Sequence, residues 1–544
     1  MSVILDSWTI EMQFSAGVWT DVTDDVVISD IIRCEYGISN NSPTDRVART
    51  GRMQYSLDNS TNNSAALAGY YSPGHTNCRT GFETGIPVRI RFTYDSITVT
   101  KFYGKIAKDG ITPTTGIYGE RKTKIVVLDW MNQAATHEIF LPEYTTNKRI
   151  DEIVPLIVAG MPLAPLATNY MAGNDTFVSV FDTVREKTSV MSEFNKLALS
   201  EYGYIYIRHT DSDEILTVEN RNARSSINTD VVSVPLPASE CGFLLKEDGG
   251  YLLQENDSKL ILDVSEQANY FTDTAAGADI SYGNNMFNYI TVTSYPRKFD
   301  TAATVLYSLN SAMSLAAGET RDLVGNFRDP MGGAWRVAGK TMVSPVSTTD
   351  YLMNTLSSGS GVDKTGSLSV TCTYGANAAS YALTNNGTAT YYVTKLQARG
   401  LGIYLYDPIT YTAEDATSQT AHGLQPLNIS MTYQDNADTA EYVGAFELLN
   451  LRNPRLELDR YPFWANRDGD HMMAFIAVDM GDRIHFTETQ TGFDRDRYID
   501  GIQFEVHPNK VVKCIWLTRF VSSLTGWYLG ITGSTELDVT TILG

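Results

Sequence analysis

At 544 residues the chain is too long for one hydrophobic core, and its length suggests roughly three or four domains. Apolar residues make up 43 % and tyrosines outnumber tryptophans 31 to 7, which excludes a disordered chain and suits sheets with one wet face. The formal charge of −21, from 63 acidic against 42 basic residues, disfavours a protein that gathers or reads nucleic acid. It would suit an acidic conduit past which DNA slides.

The opening MSVILDSWTIEMQF carries Asp6 and Glu11 and no basic region before an apolar run, so it does not read as a signal peptide. SWTIEMQF (7–14) and GIPVRIRFTYD (85–95) alternate apolar and polar residues. In the second, Val88, Ile90 and Phe92 share one face while Arg89, Arg91 and Thr93 take the other. Further strands are expected at GRMQYSLDN (51–59), TVTKFYGKI (98–106) and RKTKIVVLDW (121–130), separated by turn-forming clusters. Residues 1–140 are thus expected to form one antiparallel barrel or sandwich.

Residues 141–240 read as a small α+β unit. KRIDEIVPLIV and SVMSEFNKLALSEYG have helical spacing, with Val190, Phe194, Leu197 and Leu199 in one stripe and an end near Gly203. YIYIRH and ILTVEN then flank the turn TDSDE as a hairpin. The apolar stretch 153–167 is broken by Pro155, Pro162 and Pro165 and cannot span a bilayer in the ordinary way.

Residues 241–287 hold a threefold repeat, GFLLKEDG, GYLLQEND and SKLILDVS (242–262), each an apolar strand with an acidic turn; it reads as a small meander followed by a linker. Residues 288–400, with NYITVTSY, TAATVLYSL, SLSVTCTY, ASYALTNN and TYYVTKLQA, read as an inserted β-sandwich. Over 401–520 a helix is expected at 438–452, capped by Asp435 or Asp438, followed by the strands DRIHFTE, RYIDGIQFEVH and KVVKCIWLTRF. The Gly- and Thr-rich tail 521–544 suits either strand addition to a neighbour or a loose end.

The sequence holds no motif that points to a catalytic, cofactor-binding or metal-binding residue. Cys34, Cys78, Cys241, Cys372 and Cys514 are scattered, odd in number and never CxxC, so they read as free and mostly packed thiols. The loop GSGVDKTG (359–366) has Val362 and Asp363 where a phosphate cradle needs glycine, and reads as a hairpin loop. His137 and Glu138 lack the second histidine of a zinc-protease helix. His471 beside Asp468 and Asp470, and His209 before Asp211, Asp213 and Glu214, read as polar turns capped by their own carboxylates; neither has a full set of calcium ligands. There is no GxSxG elbow and no recognisable Cys–His pair. Trp8 and Trp19, with Asp6, and Trp464 and Trp527 could form sugar-stacking platforms but read first as core aromatics.

Several stretches, in one order through most of the chain, resemble a family of minor tail proteins of long-tailed bacteriophages related to the baseplate hub. They are DVTDDVV (21–27), TGRMQYSLDNS (50–60), YSPG (71–74) and TGIPVRIRFTYDSITVTKFYGKI (84–106), followed by SEFNKLALSEYGYIYIRHTDSDEILTVENR (192–221) and NYITVTSYPR (288–297). Then come LTNNGTATYYVTKLQARG (383–400), YDPITYTAED (406–415), GLQPLNI (423–429), MGDRIHFTETQTGFDRDRYIDGIQFEV (480–506) and VVKCIWLTRF (511–520). The acidic repeat at 242–262 departs from that pattern.

The resemblance implies a mainly β, multidomain, non-enzymatic virion protein at the tail tip. It implies a ring, usually of three chains, in which each chain supplies two barrel-like tube domains, here 1–140 and about 401–520. The implied partners are further copies of the chain, a distal tail protein, the tape-measure protein, and tail fibres or a spike, with DNA passing through the channel without sequence-specific binding. The rivals are a receptor-binding adhesin and, behind it, a tail-associated cell-wall hydrolase.

Overall fold

The computed structural model describes residues 3–39, 42–114, 121–140, 145–181, 187–209, 213–224, 270–272 and 278–521. The acidic repeat, Cys241, Asp211, Trp527 and the tail beyond 521 lie outside the described residues. The protein is mainly β, with several sheets and a few short helices.

The largest element is a 13-stranded sheet drawn from both ends of the chain. Its path runs Asp279–Tyr282, Leu456–Trp464, Val511–Phe520, Phe493–His507, Ile32–Gly37, Arg49–Asp58, Lys122–Leu128, Ile97–Pro113, Pro87–Tyr94, Ser7–Ser15 and Val18–Asp21. Every neighbouring pair on this path is antiparallel. Arg483–Glu488 and Tyr270–Thr272 attach off the path. The alternation read in the sequence sets its two faces: Val88, Ile90 and Phe92 are fully buried, as are Ile125 and Val127 on a neighbouring strand.

Where one antiparallel barrel or sandwich was expected for 1–140, the described strands of that segment run in one sheet with strands from the C-terminal part of the chain. Ile32–Gly37 makes the join, with Arg49–Asp58 of its own half on one side. It pairs with Phe493–His507 in the register Ile32↔Val506 to Gly37↔Gly501. The seam is tight there, since a Cβ on Gly37, at φ +106°, would stand 2.5 Å from the carbonyl oxygen of Asp500. The long strand Ile97–Pro113 bends the sheet. Its first part pairs with Pro87–Tyr94 and its second with Lys122–Leu128, with a break in register between Ile106 and Ile111.

Two helices pack on this core. Ile150–Ala159 buries Ile150, Ile153, Val154 and Ile157, and Val190–Glu201 buries Val190, Phe194, Leu197 and Ala198. Leu199, expected in that stripe, is half-buried instead. Nine residues separate it from Val190, about two and a half turns, which turns it to the opposite side. The helix ends at Tyr202 in the left-handed conformation, where the Gly203 amide donates to the Ala198 carbonyl. The expected hairpin follows as Tyr204–Arg208 paired antiparallel with Ile215–Glu219.

The helix Ala437–Leu451 is capped by Asn436, whose side chain accepts from the Asp438 amide at 2.9 Å. Neither Asp435 nor Asp438 caps it; Asp435 turns away and accepts from the Val178 amide. The helix covers a three-stranded sheet of Ile409–Glu414, Tyr289–Ser294 and Pro426–Met431, with Ile290, Val292, Ile429 and Val443 in their shared core. The strand at NYITVTSY therefore pairs with segments beyond residue 400.

Between these lies a second body with its own apolar core, including Leu306, Leu315, Tyr381, Leu383, Val393 and Leu396. The strand Tyr391–Leu405 is its spine, pairing along its length with five shorter strands. A three-stranded sheet of Thr320–Asn326, Ala378–Asn385 and Leu368–Tyr374 supplies the other side of that core. No helix among the described residues is long and apolar enough to cross a membrane.

Candidate functional site: the open face of the shared sheet

Buried charges join the two ends of the chain. Arg224 donates to Asp500 at 2.5 Å and to Glu219 at 2.7 Å, and Arg519 donates to the other Asp500 oxygen at 2.6 Å. Arg519 also holds the carbonyls of Ser42 and Asp45. A second group surrounds the turn 478–482. Arg208 donates to Asp482 at 2.8 Å, the His209 amide and the Tyr36 hydroxyl donate to Asp479, and Lys101 donates to the Val478 carbonyl at 2.7 Å. The strands from the N-terminal half, the hairpin and the C-terminal strands meet in these two networks.

Burial pushes several carboxyls upward. Asp129 rises to about 8, with the nearby charge of Glu214 adding to burial, while backbone amides oppose the shift. Burial raises Glu214 and Glu201 each to about 7, and Asp482 to about 6 against the pull of Arg208. Shifts of this kind can mark catalytic acids. Here backbone amides hold the carboxyls: Asp129 accepts from the Met131 amide, Glu214 from the Trp130 and Leu166 amides, and Glu201 through one oxygen from the Asn174 amide. All four side chains are buried, so the arrangement ties loops to the core and offers no reach to a substrate.

The residues singled out in the sequence are spread apart. Asp468 caps the helix Gly469–Ala477, accepting from the His471 amide at 2.9 Å and contacting its ring nitrogen at 2.5 Å. His209 is buried between Tyr36 and Phe102 with Nδ1 at 2.9 Å from the Asp213 carbonyl, and burial lowers its pKa. Asp213 is tied to Arg89 and Thr100. In the 359–366 loop, Asp363 accepts from the Thr365 amide, and the Lys364 amide donates to Met353, as in a hairpin loop. His137 follows a short helix and Glu138 opens the strand Glu138–Phe140. Cys34 and Cys514 are buried, Cys78 and Cys372 half-buried, and all four are free thiols. Trp19 stacks edge-on to Tyr103 beneath Arg89, Trp8 packs against the core, and Trp464 is 40 % exposed. Among the described residues no group of three or more His, Cys, Asp or Glu side chains could hold a metal ion.

What the sequence did not announce is the second face of the large sheet. Ile32, Cys34, Met53, Tyr55, Phe504, Val506, Cys514 and Trp516 point into the core, so their neighbours in each strand point out. Pairing places those neighbours in rows. One row reads Trp464, Lys513, Glu505, Arg33, Gln54, Val126; the next reads Ile515, Gln503, Glu35, Arg52, Leu128, Lys105. Arg33, Glu35, Arg52 and Trp464 are exposed and the rest half-buried. A groove of about 270 Å³ runs between Arg33, Arg52, Gln503, Glu505 and Lys513.

This face crosses the seam between the two ends of the chain. Its sign is opposite to that of the whole molecule: Lys105, Arg52, Arg33 and Lys513, with Lys124 on the same side of its strand, outweigh Glu35 and Glu505. Net charge alone could not reveal it, because net charge carries no positions.

No family model matches the chain, and no curated protein matches its sequence. Among solved structures, a tail protein from Neisseria meningitidis overlays with a TM-score of 0.42 at 9 % identity, covering 94 % of this chain and 97 % of that one. A prophage tail protein from Shewanella oneidensis gives 0.43 at 10 %, covering 94 % and 98 %, and one from Listeria monocytogenes 0.38 at 9 %, covering 95 % and 96 %. Overlays this loose carry no residue role across. The chain is distantly similar in structure to bacteriophage-type tail proteins over nearly its whole length.

Proposed function

We propose that the chain is a non-enzymatic structural subunit of a bacteriophage tail tip, forming a hub ring with further copies of itself. The open face of the shared sheet lines the channel. Three copies fit the reading in which each contributes an N-terminal and a C-terminal sheet half. A distal tail protein and the tape-measure protein are the partners on the tube side, and fibres or a spike on the other. The observation that carries this reading is the continuous polar face built from both ends of the chain, across a seam fixed by buried charge. The ordered sequence resemblance, which runs through both halves, supports it. An acidic wall was first expected for a conduit; the present reading instead puts there a face with more basic than acidic side chains.

The mass of the purified assembly and its symmetry in negative-stain images test the proposal. A threefold ring is expected; a chain that stays monomeric with its tail partners overturns it. One observation favours the adhesin reading. On the inserted body, Met331 is 86 % and Trp335 62 % exposed, and the Trp335 indole is pinned to the Tyr406 carbonyl so that its face stays open. Specific binding on a glycan array, lost in Trp335→Ala, would move the assignment there.

A further inference from the structure

We propose that the cations on the open sheet face form a contact site for the phosphate backbone of double-stranded DNA. This deepens the channel reading above and rests on it for its setting, while its physical basis is the charge of the face itself.

The argument starts from range. At about 0.1 M salt the screening length is about 10 Å, so a phosphate over the sheet responds to side chains within a few strands and not to acidic groups on the far side of the molecule. Neighbouring strands lie about 4.8 Å apart. Arg33 and Lys513 stand two strands apart in one row, flanking Glu505, and Arg52 and Lys105 stand two strands apart in the next, flanking Leu128. Each row therefore presents cations about 10 Å apart, and the rows are offset by two residues along the strands. A phosphate lying on these rows meets more cations than carboxylates, with Arg33, Arg52, Lys105 and Lys513 against Glu35 and Glu505, although the molecule as a whole is strongly acidic.

The chemistry of the side chains points the same way. Arg33 and Arg52 are exposed and present planar forks that match phosphate oxygens in pairs. Glu505 is one competing group. It accepts from Arg33 at 3.1 Å and so holds that guanidinium part of the time, but the pair is open to water, with 60 % of the Arg33 side chain exposed. An ion pair so exposed contributes little and yields readily to a phosphate. Glu35, exposed between Gln503 and Arg52, is a second competing carboxylate, while Gln54, Gln503, Val126 and Leu128 add no charge. The contacts reach only backbone phosphates, so the site is indifferent to sequence, as a passage for DNA requires.

The test uses the full-length assembly and a short fluorescein-labelled duplex, with binding followed by fluorescence anisotropy against salt. If three phosphates are neutralised, affinity falls roughly 40-fold between about 50 and 200 mM salt. The combined change Arg33→Glu, Arg52→Glu and Lys513→Glu should abolish that salt-dependent binding. Glu505→Gln, which removes one carboxylate and leaves the fold's buried networks alone, should tighten binding severalfold at the lower salt. Unchanged affinity in both variants overturns the inference, as does a wild-type assembly that ignores the duplex at the lower salt. Recording the assembly mass in the same samples separates the two proposals. A ring whose duplex binding ignores the variants refutes this site and leaves the hub standing. A monomer whose duplex binding follows them does the reverse.

Discussion

The large sheet and the inserted body solve one problem in opposite ways. The inserted body is held by apolar packing around Leu383, Val393 and Leu396; its Asp350–Arg399 pair lies at the margin, with Arg399 26 % exposed. The large sheet also has an apolar core, but where its two ends meet it relies on charges that water hardly reaches. Asp500, Arg224 and Arg519 each have side chains no more than 4 % exposed. Apolar packing tolerates small shifts. A buried ion network holds only when every partner is in place, which makes it a stricter way to fix the register of distant strands.

That contrast can be broken first at the seam. Asp500→Ala leaves two guanidiniums buried without their shared carboxylate and should cost about 3–5 kcal/mol. A denaturant midpoint equal to that of the unaltered protein would show that the network is dispensable. In the inserted body, Leu383→Ala should cost about 2–5 kcal/mol through the cavity it leaves. Calorimetry should show its effect confined to one transition, with the seam untouched; a single transition that moves as a unit would mean that the two bodies are not separately held.

The pH response should be smaller, with an unusual sign. Asp129, Glu201, Glu214 and Asp482 have folded values raised to between about 6 and about 8, so in that range the folded chain binds protons that the unfolded chain has already released. Their ionisation therefore opposes folding. The melting temperature should fall as pH rises from 6 to 8, and Asp129→Asn should flatten that slope by up to about 1 kcal/mol per pH unit. A slope that is unchanged in Asp129→Asn would rule out this carboxyl as a source. Asn436→Ala should have the least effect, about 1 kcal/mol for a lost helix cap, while Asp438→Ala should do less. The reverse ranking in urea titrations would restore the aspartate as the cap.

Strand positions were legible because alternation is local: the pattern of Val88, Ile90 and Phe92 is enough to say which way each side chain points. Errors entered where local readings competed. Leu199 looked like core because it is leucine, yet helix geometry turned it outward and left Ala198 and Glu201 inside. Asp435, Asn436 and Asp438 all suit a cap, and the choice fell to Asn436 once Asp435 was engaged by Val178. The candidate surface was not legible at all. Its rows combine Arg33 and Arg52 with Glu505 and Lys513, and nothing in the order of residues says that these segments lie side by side.

The seam also has a consequence in time. Ile32–Gly37 is paired on one side by Arg49–Asp58, but its other partner, Phe493–His507, is among the last strands of the described chain. At roughly 5–20 residues per second, ribosomes take about 25–100 s to make the intervening stretch. During that interval the nascent N-terminal half presents an unpaired strand edge, the feature that most readily recruits the wrong neighbour. Glu35 and the exposed arginines near that edge would then act as guards on an unfinished chain. In the cell, synthesis of the last strands, and not collapse of the first, sets the moment at which this sheet becomes safe.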